Sequence, residues 1–179
     1  MSDDYSKQYA MADAILQKYP KGEAFPIVGF ANSIGFKIYV KDLGCDDISG
    51  YISISDENKK TLGAKKIIVV NERDNYGHRR FTIAHELNHY FYDYQPSDEP
   101  YLEYSDSDDE TDQKEAKANV FARSLLMPKK DFNDAYSSMK KHGYTLDTIV
   151  EQLADRFGVS LTAVLRRIDE LEINLKTKI

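Results

Sequence analysis

Two histidines one helical turn apart are the residues of this chain best suited to bind a metal ion. They lie in the run His85-Glu86-Leu87-Asn88-His89, which fits the pattern HExxH. On an α-helix, side chains four positions apart share one face, and neutral imidazole is a good zinc ligand. Glu86 is displaced from His85 by about 100° around the helix, because one turn takes about 3.6 residues. It can therefore flank the metal without ligating it, as a general base that acts on water does.

A catalytic zinc ion needs a further ligand, since it usually has three protein ligands and one open position. His78 lies seven positions before His85, which is about 10 Å along the axis at roughly 1.5 Å per residue and too far to share the ion. His142 has no ligand pattern around it. We expect Glu115, early in the next apolar helix, to supply the third ligand. Asn119, one turn further on, could orient a ligand imidazole through a hydrogen bond.

The composition narrows the class of protein and its partners. The chain has 179 residues, of which 41% are hydrophobic and 30% are charged, as in an ordinary globular protein with a real core. The formal net charge of -6 counts against nucleic acid as the main partner, because binding to phosphates needs basic side chains. It is compatible with a basic protein partner. A single cysteine, no signal-peptide pattern and no membrane-spanning apolar run predict a cytoplasmic protein.

The spacing of apolar residues predicts an α+β fold, with a small, mainly antiparallel sheet of about three strands flanked by helices. Strands are expected at residues 36–40, 50–55 and 66–70, separated by polar and turn-forming segments. Helices are expected at residues 3–19, 26–34, 79–94, 113–127, 129–142, 146–157 and 160–172.

An acidic segment separates the two helices of the predicted metal site. Residues 97–112 contain eight acidic side chains and no basic one, and they are predicted to form a loop without strands near the rim of the cleft. A solvated loop is the favoured interpretation. The alternative is electrostatic attraction of a basic substrate.

The chain is predicted to have two parts. Residues 1–142 would form a zincin-like metallopeptidase domain, and residues 143–179 a helical C-terminal subdomain that resembles a helix-turn-helix around Gly158-Val159-Ser160. Residues 146–171 hold five acidic and three basic side chains, so their attraction to phosphate is weak. Packing or protein contact through residues 146–172 is favoured over DNA binding.

Two segments in this order closely resemble the ImmA/IrrE family of metallopeptidases. They are RFTIAHELNH at residues 80–89 and EAKANVFARSLLMP at residues 115–128, and the resemblance extends over about residues 27–172. It implies a gluzincin-like zinc site with His85, His89 and Glu115 as ligands and Glu86 as the base. Family members commonly have glycine where this chain has Asn88, a residue that a helix tolerates.

The resemblance also implies a protein substrate, namely a basic helix-turn-helix repressor or antitoxin-type regulator. Such proteins often belong to mobile-element, stress-response or toxin–antitoxin loci. The alternative function is a non-catalytic regulator that binds protein or DNA and whose metal serves structure. Two imidazoles and a carboxylate suit one zinc ion, with another divalent metal as the alternative.

The group that stabilises the oxyanion of the reaction is left open by the sequence. Such a group is a donor placed opposite the metal. The candidates for this role, or for a contact with substrate, are His78, Arg79, Arg80 and Tyr90.

Overall fold

Eight helices and one four-stranded sheet make up the described part of the chain, residues 5–20, 22–97, 99–106 and 113–173 of a computed structural model. The helices are α1 (Ser6–Leu16), α2 (Ile27–Ser33), α3 (Asp56–Leu62), α4 (Tyr76–Tyr92), α5 (Gln113–Leu126), α6 (Lys129–Lys141), α7 (Leu146–Phe157) and α8 (Leu161–Glu170). The strands are β1 (Phe36–Lys41), β2 (Ile48–Ile54), β3 (Lys66–Asn71) and β4 (Tyr101–Asp106). The predicted α+β fold is confirmed.

The sheet has the strand order β1-β3-β2-β4. β1 runs parallel to β3, whereas β2 is antiparallel to both β3 and β4. The sheet is therefore mostly antiparallel, as predicted, but it has four strands rather than three. β3 lies between two neighbours and is buried over Ile67–Asn71, which explains its continuous apolar sequence.

The fourth strand, β4, lies where a loop without strands was predicted, and that prediction was wrong. Tyr101 pairs with Ile54, and Tyr104 lies directly opposite Tyr51, with the two ring centroids 5.4 Å apart. Aromatic residues favour strands because they pack across neighbouring strands, and here this packing outweighs the acidic composition. Residues 98 and 107–112 of the acidic segment lie outside the described residues.

Helix α3 lies where the sequence predicted only turns. The Ser55 side chain accepts a hydrogen bond from the backbone N–H of Asn58, and Gly63 ends the helix in the left-handed conformation at φ 75°. None of its seven residues is buried, so no apolar periodicity marks it. The capping residues Ser55 and Gly63 are the only features of the sequence that mark this helix.

Helix α4 packs closely against the sheet because Gly50 has no side chain. A Cβ atom at Gly50 would lie 2.6 Å from the carbonyl oxygen of Val69 and 2.7 Å from Cγ2 of Thr82. The glycine thus allows α4 to lie directly on β2 and β3. This contact fixes the height of α4 above the sheet.

The core contains residues from both sides of residue 143. The rings of Phe132 on α6 and Phe157 on α7, for example, stack with centroids 5.7 Å apart. The division into residues 1–142 and 143–179 stays a prediction. Within the described residues, no helix is long and apolar enough to cross a membrane.

The turn between α7 and α8 lies against the first turn of α4. A Cβ atom at Gly77 would lie 2.4 Å from the carbonyl carbon of Val159 and 2.6 Å from the backbone nitrogen of Ser160. The Arg80 guanidinium, one turn further along α4, donates from Nε to the carbonyl oxygen of Gly158 at 2.8 Å. The turn that resembles a helix-turn-helix therefore packs on the helix that carries the histidine pair.

We expect Gly77→Ala to lower the free energy of unfolding by about 1–3 kcal/mol, because the new methyl group meets backbone atoms that cannot rotate away. Urea unfolding followed by circular dichroism measures the change. Gly29→Ala is the matched control, since a Cβ there meets nothing within 4 Å and alanine favours a helix by up to about 1 kcal/mol. Equal stability of the two variants would contradict the close packing at Gly77.

Candidate metal centre

Helix α4 carries the histidine pair on a buried face. The helix begins where the Asn75 side chain accepts a hydrogen bond from the backbone N–H of His78 at 2.9 Å. His85 is 5% exposed, and Glu86 and His89 are both 0% exposed. Polar side chains this deeply buried need partners, and α5, which packs along α4, supplies partners for the two imidazoles.

Three of the residues predicted from the sequence converge on one point between α4 and α5. His85 Nε2 lies 3.0 Å from His89 Nε2. The Glu115 carboxylate spans both rings, with Oε2 2.9 Å from His85 Nε2 and Oε1 3.3 Å from His89 Nε2. The three ligand atoms, one from each residue, all lie within 4.8 Å of one another.

The outer nitrogen of each imidazole is bonded to an oxygen acceptor. His85 Nδ1 lies 3.0 Å from Oδ1 of Asn119, and His89 Nδ1 lies 2.7 Å from Oδ2 of Asp93. An oxygen acceptor places the ring proton on Nδ1 and turns the lone pair of Nε2 toward the shared point. Both rings therefore have the orientation that metal ligation requires, and their Nδ1 contacts favour the tautomer in which Nε2 is free to bind a metal.

The electrostatics of the three residues favour a cation at their centre. Burial alone lowers the pKa of His89, but the hydrogen bond to Glu115, the charge of Glu86 and the hydrogen bond to Asp93 together raise it to about 9. Burial alone raises the pKa of Glu115, yet the two imidazoles hold it well below its usual value. A divalent ion can replace a proton in such a site, so the donors fit a zinc ion in number and type.

Two of the oxyanion candidates bond elsewhere in the fold. Arg80 is 6% exposed, and besides its bond to Gly158 it donates from Nη2 to the carbonyl oxygen of Phe25 at 2.6 Å. Arg79 donates to the carbonyl oxygens of Glu72 and Asp74.

The other two candidates contact the sheet. Nε2 of His78 shares a hydrogen bond with the Ser49 hydroxyl at 2.9 Å. The Tyr90 hydroxyl accepts from Nζ of Lys66 at 2.6 Å. Within the described residues, no hydrogen bond or ion pair joins any of the four candidates to His85, His89 or Glu115. Their role in the reaction stays a prediction.

Asp93 is a residue of the site that the sequence analysis did not identify. It follows His89 by four positions, at the C-terminal end of α4. That spacing, which places the two side chains on one helix face, was the available signal. Lys114, whose Nζ lies 3.8 Å from Oδ2 of Asp93, was also missed.

Comparison with known proteins gives one family and one fold. Residues 31–169 match the family of IrrE N-terminal-like domains, Peptidase_M78. Among solved structures, a Mycobacterium tuberculosis transcriptional regulator is similar, with a TM-score of 0.53 and 16% sequence identity. The similarity covers 92% of this chain and 47% of that one, so the chain spans about half the length of that protein, and the likeness concerns the fold alone. No curated protein matches the chain.

In chelator-treated protein we expect the free energy of unfolding to fall as the pH rises from 6.5 to about 9. The folded pKa of His89 exceeds the ordinary 6.5, so its protonation stabilises the fold fully below pH 6.5 and is lost through pH 9. Urea unfolding at a series of pH values measures this. In Glu115→Gln the fall should be smaller, because a partner that raises the pKa is removed. An NMR titration of the wild type that gives His89 a pKa of 6.5 or less would contradict the expectation.

Proposed function

Because the chain belongs to the family of IrrE N-terminal-like domains, we propose that it is a zinc-dependent endopeptidase of the cytoplasm. Its substrate would be a helix-turn-helix repressor or an antitoxin-type regulator, whose cleavage changes transcription. The observation that carries the proposal is the convergence of His85, His89 and Glu115 within 4.8 Å, beside the fully buried Glu86.

Zinc is the metal that the donor set fits best. Two neutral imidazoles and one carboxylate are common ligands of catalytic zinc, and three protein ligands leave a position open. His85, His89 and Glu115 would hold the ion, while Asn119 and Asp93 keep the two rings in their orientations. Another divalent metal is the alternative that metal analysis of the purified protein separates from zinc.

Glu86 is the residue we assign as general base. Its charge helps to raise the pKa of His89, which supports a position of its carboxylate near the ligands. When bound, a zinc ion polarises a peptide carbonyl group and lowers the pKa of water. Glu86 would accept a proton from the attacking water and then deliver it to the leaving nitrogen, so that one carboxylate serves both proton transfers.

The charge of the chain supports a basic protein as substrate. The formal net charge is -6, and opposite net charges raise the rate at which two proteins meet. A regulator that binds DNA carries the basic surface which this attraction requires. A mobile-element, stress-response or toxin–antitoxin setting follows from the family resemblance and is part of the proposal.

A non-catalytic regulator is the second candidate function. Leu161 and Leu165 on α8 are 51% and 43% exposed, and exposed apolar side chains one turn apart favour contact with another protein. In that case the metal would stabilise the α4–α5 pair without hydrolysis. DNA binding through residues 146–172 is disfavoured by their acidic balance.

We expect Glu86→Gln to keep the bound metal and to lower the rate of substrate cleavage by about a hundredfold to ten-thousandfold, the usual contribution of a general base. Elemental analysis gives the metal content. Incubation with the repressor encoded beside this protein, followed by mass spectrometry of the fragments, gives the rate. Glu57→Gln is the matched control, because Glu57 is an exposed glutamate on α3.

His89→Ala should lose both the metal and the cleavage. Metal in the wild type without cleavage of any cognate repressor, together with tight repressor or duplex binding, would contradict the peptidase and support the regulator. If Glu86→Gln cleaves the substrate at the wild-type rate, only the assignment of Glu86 as general base is contradicted, and the peptidase proposal stands.

A further inference from the structure

A row of charged side chains leads from the metal centre to the edge strand β4. Oδ2 of Asp93 lies 2.7 Å from Nδ1 of His89 and 3.8 Å from Nζ of Lys114. Nζ of Lys114 lies 2.6 Å from Oε1 of Glu103 on β4. The row therefore joins the end of α4, the start of α5 and the edge of the sheet.

These side chains are shielded from water to a degree that ordinary surface pairs are not. The side chains of Lys114, Asp93 and Glu103 are 34%, 25% and 26% exposed. In the surface pair Lys130–Asp134, also at 2.6 Å, the exposures are 80% and 65%. Surface ion pairs contribute little because water screens them, whereas partly buried charges hold each other more firmly.

We propose that Asp93 and Lys114 are positioning residues of the metal centre, and that Lys114 couples this centre to β4. The inference rests on the proposed function, since it takes His89 as a metal ligand. Asp93 fixes the ring of His89, and Lys114 holds Asp93 from α5, directly before the ligand Glu115.

The effect of Asp93 on the metal follows from the tautomer of His89. A carboxylate at Nδ1 accepts the ring proton, keeps the lone pair on Nε2 and raises the basicity of that nitrogen. An amide in its place is a neutral and weaker acceptor. Loss of such an outer partner typically lowers metal affinity by about tenfold to a hundredfold.

The coupling to β4 follows from the contacts of Glu103 and Tyr101. The Tyr101 hydroxyl donates to Oε2 of Glu103 at 3.3 Å, and its ring meets that of Tyr94, just after α4, with centroids 5.4 Å apart. β4 is one of the two edge strands of the sheet, so it pairs with only one neighbour, β2. A ligand that holds Asp93 and Lys114 in place therefore also holds β4 in place, through the contact of Lys114 with Glu103. By linkage, metal binding and an ordered β4 must then favour each other.

Zinc affinity tests the positioning role. Competition with a chromogenic chelator is measured for the wild type, Asp93→Asn, Lys114→Met and the matched control Asp134→Asn. We expect the dissociation constant to rise about tenfold or more in Asp93→Asn, to rise less in Lys114→Met, and not to change in the control. The absorption spectrum of the cobalt-substituted protein should also shift in Asp93→Asn, because the ring of His89 is no longer held in its orientation. An affinity and a spectrum equal to those of the control would overturn the inference.

Hydrogen exchange tests the coupling to the strand. We expect zinc to slow amide exchange of residues 101–106 in the wild type and in the control Lys130→Met, and to slow it less in Lys114→Met. Equal slowing in all three proteins would overturn the coupling. A wild type that binds zinc without these effects refutes only this inference, whereas a wild type that binds no metal refutes the proposed function as well.

Discussion

The contact of one carboxylate with two imidazoles across the α4–α5 interface is the interaction on which the site depends. Glu115 can reach His85 and His89 only if α4 lies at a fixed height and rotation. The missing side chain at Gly50 sets the height, because it lets the helix lie directly on the sheet. The buried face of α4 sets the rotation. The candidate site therefore depends on the packing of α4 against β2 and β3 as well as on the two helices that carry its residues.

The sequence was sufficient for the parts of the site that follow from helical spacing. His85, Glu86 and His89 share one helix, and Glu115 and Asn119 share another, so a fixed rise per residue predicts each group. Asp93 obeys the same spacing but was missed, because an aspartate at a helix end usually faces solvent. A charged residue next to a motif is equally ambiguous. Arg80 was a candidate for the site, and its guanidinium donates to two backbone carbonyl groups, while its role in the reaction stays a prediction.

The elements that the sequence did not predict are those whose stability comes from distant or purely local contacts. β4 depends on pairing with β2, about 50 residues earlier in the chain, and its acidic neighbours hide the alternation of its side chains. Its backbone pairs only when the fold is assembled. α3 has no buried face, so the apolar pattern that reveals other helices is missing there. In contrast, β1, β2 and β3 were found because burial of one or both faces leaves a pattern in the sequence.

The guanidinium of Arg80 has a consequence for any attempt to shorten the chain. It binds the chain ahead of the sheet at Phe25 and the chain beyond α7 at Gly158, so segments far apart in sequence share one cation. A chain cut after residue 142 would retain every proposed ligand and yet leave that buried cation with half of its acceptors. The loss of stability would affect the first two turns of α4, which lie directly ahead of the histidine pair. The smallest stable fragment is thus defined by where this cation finds its hydrogen-bond acceptors, and it extends well past the last of the proposed ligands.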